Sequence, residues 1–202
     1  GFQNGFSVAG DWICSRLPDR MLFHRVSDGS LLSEWLVPKD CRTDFPDWRR
    51  GDEAWFAMTN GGVAVHRLPD GARRRTIQCP DVVAQSVAGA TRDDRIVAVQ
   101  VARTLDVALI DVEKGRVLRQ LPDFSLMRGA PLQNRVAFSP DGRKVAFTAN
   151  GLRVRICDLA DGRMLQELEG FAWHVYCILW SEDGRTLFTS SWDGSVMVWD
   201  AE

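Results

Sequence analysis

The residue types that carry most enzyme chemistry are thin in this chain of 202 residues. Histidine occurs three times, as His24, His66 and His174, so imidazole acid–base chemistry has few candidates. Cys-x-x-Cys, His-x-x-x-His, Gly-x-x-x-x-Gly-Lys and Gly-x-Ser-x-Gly are all missing. With them go the common zinc, phosphate-cradle and serine-nucleophile patterns. The five cysteines (Cys14, Cys41, Cys79, Cys157 and Cys177) are an odd number without a close pair, which argues against a disulfide scaffold. Cys14, Cys157 and Cys177 fall within apolar alternating stretches, where a free thiol behaves as a small hydrophobe. The composition therefore fits a reducing compartment, and a cytoplasmic location is expected. No apolar run approaches the ~20 residues of a membrane helix, so no membrane partner is expected. A net charge of −2 gives nucleic acid no electrostatic footprint. Gly1-Phe-Gln-Asn-Gly-Phe resembles neither an initiating methionine nor a signal peptide, and a processed or excised N-terminus is expected.

What the chain does contain is a period. Met21-Leu-Phe-His-Arg-Val-Ser-Asp-Gly29 has counterparts beginning at Val63, Val107 and Val154, and a shortened one in Val196-Met-Val-Trp-Asp200. The fifth residues of these segments are Arg25, Arg67, Asp111, Asp158 and Asp200, separated by 42, 44, 47 and 42 residues. Each of the first four is followed by a glycine turn and a further alternating stretch. Units of about 40–45 residues with four strands each are what propeller blades require. The expected class is an all-β propeller of five units, at about 1–36, 37–78, 79–121, 122–168 and 169–202. In the second unit the first strand is expected at Cys41 to Phe45, followed by a long polar connection through Asp52. The fourth begins with the longest loop, Pro122 to Asn134, carrying Phe124, Leu126, Met127 and Arg128. The last unit has three strands where the others have four. Its outer strand is missing, and completion by a parent chain or self-association is expected.

Phe-Ser-Pro-Asp-Gly at 138–142, Trp-Asp-Gly at 192–194 and Val-Trp-Asp at 198–200 resemble the WD-repeat β-propeller family. The last two units carry these motifs, whereas the first three share only period and pattern. The resemblance implies a hydrogen-bonded turn network at Ser190 (or Ser191), Asp193 and Trp199. The Trp place of the other units holds His24, His66, Ile110 and Cys157, so those units are expected to be held mainly by apolar packing. It also implies a rigid, non-catalytic scaffold that presents its d–a and b–c loops to protein partners, with no cofactor. A sensor or docking appendage of a larger signalling enzyme is the alternative, and a propeller hydrolase or lactonase a more distant one. The starts of the a strands, Asp40-Cys41, Asp81-Val82, Asn134-Arg135 and Val175, are too mixed to form a coherent metal-ligand set.

His24 and His66 are expected to be packing residues of strand c. The recurring Asp-Gly pairs at 141–142, 161–162, 183–184 and 193–194 are read as turn formers rather than calcium ligands. Arg73-Arg-Arg75 reads as a charged outer edge. Tryptophan stands out: eight against one tyrosine. Trp173 and Trp192 belong to connections that emerge on one rim, beside Phe171, His174 and Tyr176. These five residues are the candidate partner-binding set, with capping of the strand ends as the competing role for the two indoles.

Overall fold

The computed structural model describes residues 4–6, 10–17, 19–42, 47–49, 52–102, 104, 106–121 and 135–202. Among them there is no helix, and the strands form five separate antiparallel sheets. The first sheet holds β1 (Asn4–Phe6), β2 (Trp12–Arg16), β3 (Arg20–Arg25) and β4 (Leu31–Leu36). The second holds β5 (Asp47–Arg49), β6 (Glu53–Ala57), β7 (Val63–Arg67) and β8 (Arg73–Ile77). In the third are β9 (Ala84–Ala90), β10 (Ile96–Val101), β11 (Val107–Asp111) and β12 (Arg116–Leu121). The fourth comprises β13 (Val136–Phe138), β14 (Lys144–Ala149), β15 (Arg153–Asp158) and β16 (Met164–Leu168). The last has three strands, β17 (Val175–Trp180), β18 (Thr186–Ser191) and β19 (Val196–Asp200). Every sheet pairs its strands in sequence order, as blades of a propeller do.

The hairpins are set by a short polar turn used three times. Thr91, Ser139 and Ser181 each direct a hydroxyl at the aspartate two residues on and accept the backbone N–H of Ile96, Lys144 or Thr186. The same aspartates, Asp93, Asp141 and Asp183, accept the N–H of the residue two further along. Each carboxylate is thereby held below its ordinary pKa, first by the hydroxyl and then by these amides. Asp161 and Asp193 likewise accept backbone N–H groups of their own turns, at 2.8 Å from Arg163 and from Ser195.

Sheets stack face to face, and burial follows. In β10 and β14 residues on both faces are covered, so Val97-Ala-Val99 and Val145-Ala-Phe147 are buried without alternation. In β18, at the end of the stack, buried and open residues alternate. Four apolar clusters lie between successive sheets, each drawing on two neighbours.

Two expectations need amendment in the second sheet. Of the stretch expected to be its first strand, Cys41 makes only an isolated bridge with Met58, and residues 43–45 lie outside the described set. The paired strand is β5, within the expected polar connection, where Asp47, Trp48 and Arg49 face Trp55, Ala54 and Glu53. Between Cys41 and Asp47 the chain advances further than its partner does between Met58 and Trp55, so one continuous ladder cannot join the two pairings.

Apolar packing is also supplemented here by a polar clamp. Arg73 grips Asp40 through both terminal nitrogens at 2.8 and 2.7 Å, and its Nε donates to His66 Nε2 at 3.2 Å. His66 Nδ1 in turn donates to the Gly71 carbonyl at 2.8 Å, which fixes the neutral tautomer. Burial lowers the His66 pKa, while its ring lies 4.8 Å from Trp35 of the first sheet. The other two arginines of the basic run are engaged as well: Arg74 pairs with Glu53, and Arg75 lies over the Trp55 ring. The longest loop, with Phe124, Leu126, Met127 and Arg128, lies outside the described residues.

Candidate functional site

The last sheet carries the candidate site on the rim where its d–a loop and b–c turn meet. The turn between β18 and β19 clamps the loop before β17. Ser191 Oγ donates to the Trp173 carbonyl at 2.9 Å, and the Trp192 N–H donates to the His174 carbonyl at 3.1 Å. Asp193 Oδ2 accepts the Ala172 N–H at 3.2 Å, and Asp193 N–H reaches Ser191 Oγ at 3.3 Å. Gly194 closes the turn at φ 86°, a conformation open to glycine at little cost.

These contacts amend the expected turn network. Its hydroxyl belongs to Ser191, since Ser190 lies in the β18 ladder opposite Cys177 and Val196. Trp199 is tied elsewhere: its Nε1 donates to Thr189 Oγ1 at 2.8 Å, within the sheet.

Hydrogen bonds from Ser195, with smaller contributions from Ser191 and Ala172, hold the Asp193 carboxyl down to about 2. An unfolded aspartate titrates near ~3.9. The lowered folded value adds stability that is fully present above the unfolded pKa and is lost as pH falls through the folded one. Between about pH 4 and pH 2, Asp193→Ala is therefore expected to flatten the acid loss of stability. At pH 7 it should lower the melting temperature more than Asp161→Ala, whose carboxylate bonds only within its own turn. Thermal melts across that pH range check both statements, and equal melts for the two variants at pH 7 would count against the clamp.

The five candidate partner-binding residues separate into two groups. Trp173, Trp192 and Tyr176 are 59, 48 and 46% exposed, and the Tyr176 and Trp192 rings lie 6.4 Å apart. Phe171 is buried in the cluster between the last two sheets, with its ring 5.7 Å from Trp199. It cannot touch a partner in this conformation and is a core residue. His174 is half-buried, its ring wedged against Gly151, where an added Cβ would clash. Gly151 sits at φ 73°, and its carbonyl accepts the Val175 N–H at 3.0 Å. The His174 ring thus locks the loop onto the neighbouring sheet, a role its position in the sequence did not disclose.

Sequence reading also passed over Arg135, at the start of β13. Its side chain is wholly buried, and none of its three guanidinium nitrogens has a hydrogen-bond partner among the described residues. Burial lowers its pKa, against a smaller opposing effect of the Tyr176 phenol. Nothing in its one-letter context distinguishes it from an exposed arginine.

His24, like His66, contacts the carbonyl of the glycine five residues on, Gly29, at 3.2 Å. Burial pushes the Cys14 thiol up to about 12 and, as the main effect, the Cys41 thiol up to about 11. Neither is a thiolate at neutral pH, although Cys41 lies 3.9 Å from His66. Among the described residues no group of His, Cys, Asp and Glu is placed to hold a metal ion.

Five blade-like sheets, the last with an open aromatic rim, define a repeat protein of the β-propeller class. Residues 162–200 match the model described as WD domain, G-beta repeat, which supports a likeness to the WD-repeat family. Over 69 residues, 34% of its length, the chain is 38% identical to the human Intraflagellar transport protein 122 homolog. The Xenopus tropicalis protein of that name is 39% identical over 67 residues. Rat Jouberin is 35% identical over 82 residues, 39% of this chain. The aligned stretches span only 6% of the human intraflagellar transport protein and 8% of Jouberin.

Proposed function

We propose that the chain is a non-catalytic protein-interaction module that docks a partner on the rim formed by Trp173, Tyr176 and Trp192. The observation that carries this reading is the half-exposure of three aromatic rings on a rim whose backbone is clamped from both sides. A rigid indole offers a large apolar contact and a polar N–H, and little rotamer entropy is lost when it binds. The exposure of both indoles favours this role over capping of the strand ends, for which the rings would have to be covered. The partner chemistry that fits is a protein segment with apolar side chains to lie between Tyr176 and Trp192. The buried thiols, the carbonyl-bonded histidines and the turn-bound aspartates all have structural roles, which supports a scaffold over an enzyme. The setting is the cytoplasm, where five free thiols stay reduced. The same rim serves equally well if the module is the docking part of a larger chain.

Trp192→Ala is expected to weaken partner binding by about 2 kcal/mol or more, the range of an interface hot spot, with little change in melting temperature. Calorimetric titration with the captured partner and a thermal melt on the same variant test it. A lower melting temperature with unchanged affinity would make the ring a cap and remove the rim as the docking surface.

A further inference from the structure

In the fourth sheet, strands a and b send alternate residues to the sheets on either side. Val136 and Phe147 lie in the cluster shared with the third sheet, and Ala146, with Ala137 packed against it, in the cluster shared with the fifth. One step along the register stand Arg135 and Thr148, joined by the Thr148 N–H donating to the Arg135 carbonyl at 3.1 Å. The side chains of such a cross-strand pair point to one face. By alternation with Val136 and Phe147, that face is the one toward the fifth sheet. Both residues are 0% exposed.

The third sheet carries a polar pair at the same level. Val97 and Val145 each oppose the residue before the repeat marker, Ile110 and Cys157, so Gln100 corresponds to Thr148. Gln100 pairs with Ser86, whose hydroxyl donates to Gln100 Oε1 at 3.3 Å, and both are buried. That pair contains its own acceptor. Arg135 and Thr148 do not complete each other in this way. A guanidinium offers five N–H donors and no acceptor. All three of its nitrogens and Thr148 Oγ1 are buried without a hydrogen-bond partner among the described residues. His174 Nδ1, on the loop that closes the same junction against Gly151, is also buried and without one. The junction lacks an acceptor that carries negative charge.

We propose that the junction of the fourth and fifth sheets binds a carboxylate between the Arg135 guanidinium and the Thr148 hydroxyl. Charge and shape select the ligand. A single buried cation balances a single negative charge, and a dianion would leave one charge buried and unpaired. The planar guanidinium fork matches two oxygens of one carboxylate, and the hydroxyl can donate a further hydrogen bond to either. The approach is from the rim, where Tyr176, whose phenol acts on the guanidinium, is 46% exposed. The carboxylate is either a free small anion or the acidic side chain of a protein seated on the rim. Only the second source rests on the rim as a docking surface.

Thermal melts of the purified chain in sodium acetate, against sodium chloride at equal ionic strength, provide the test. Acetate at about ten times its dissociation constant should raise the melting temperature by about 3–6 °C for a chain of this size. Arg135→Met should lose that rise. Thr148→Val keeps the cation and should need several-fold more acetate for the same effect. If Arg135→Met does not fold, Arg135→Lys replaces it: the charge stays, the fork is lost, and the rise should shrink. Melts with N-acetyl-aspartate amide separate the two sources. A rise like that with acetate assigns the site to an acidic side chain, and a rise with acetate alone assigns it to a free anion. No rise with either would overturn the proposal and leave water as the partner of the guanidinium. An equal rise in chloride, or an undiminished rise in the Arg135 variant, would overturn it as well.

Discussion

Trp55→Ala is expected to destabilise the chain by about 3–5 kcal/mol, the range for an aromatic side chain lost from a core. The indole is wholly buried in β6 and packs with Val87, Val97 and Ile110 of the third sheet. Its area alone supports that size: a ring of roughly 150–250 Å² at about 25 cal/mol per Å² gives about 4–6 kcal/mol. The ring also donates to Glu53 at 3.2 Å and lies under Arg75 at 5.0 Å, so alanine removes one contact from each, while Glu53 keeps Arg74 and Arg75 keeps Asp94. Trp173→Ala, on the rim, should stay within about 0.5 kcal/mol. Urea midpoints read at constant slope distinguish the two. A shift below about 1 kcal/mol for Trp55→Ala would mean that the second and third sheets close the cavity by sliding together.

Arg135→Met is expected to act in the opposite direction and to stabilise the chain by about 1–4 kcal/mol, as when other buried charges give way to apolar side chains. Among the described residues the Arg135 guanidinium has no hydrogen bond, and only the Tyr176 phenol opposes its desolvation. Methionine follows the aliphatic part of the arginine chain and leaves the charge out. Arg135→Lys keeps the charge and should bring no gain. Denaturant titrations of both variants check this. A loss of stability in Arg135→Met would assign the guanidinium a structural partner and overturn the reading.

Much of the architecture was legible because it is written locally. A turn such as Ser139-Pro-Asp-Gly142 satisfies its own backbone, and strand c repeats at an interval that, with strands rather than helices in each unit, points to propeller blades. The first strand of the second sheet was not legible, because Cys41-Arg-Thr-Asp-Phe45 and Asp47-Trp-Arg49 are comparably strand-like and only pairing with Glu53 to Trp55 decides between them. The rim was legible in part. Trp173 and Trp192 could be assigned to neighbouring loops from the repeat frame. That Phe171 turns inward is a fact of packing against Trp199, and no period in the sequence encodes it. The Asp40–Arg73–His66 clamp joins residues far apart in the chain, so its members read singly as a turn acid, an edge base and a core ring. The burial of Arg135 is decided by what covers it.

Each sheet is completed by strands that follow one another directly along the chain. During synthesis the peptide leaves the ribosome from its N-terminal end, and domains form as their residues emerge. The first sheet can therefore close its ladder before the second exists, and each later one meets a template already waiting to be covered. Assembly would advance in one direction, as in other repeat proteins whose stability is a sum of units and nearest-neighbour contacts. A nascent chain that has emerged as far as Leu121 would hold three finished sheets, whereas one that has emerged only into β14 would expose the half-made surface of a fourth.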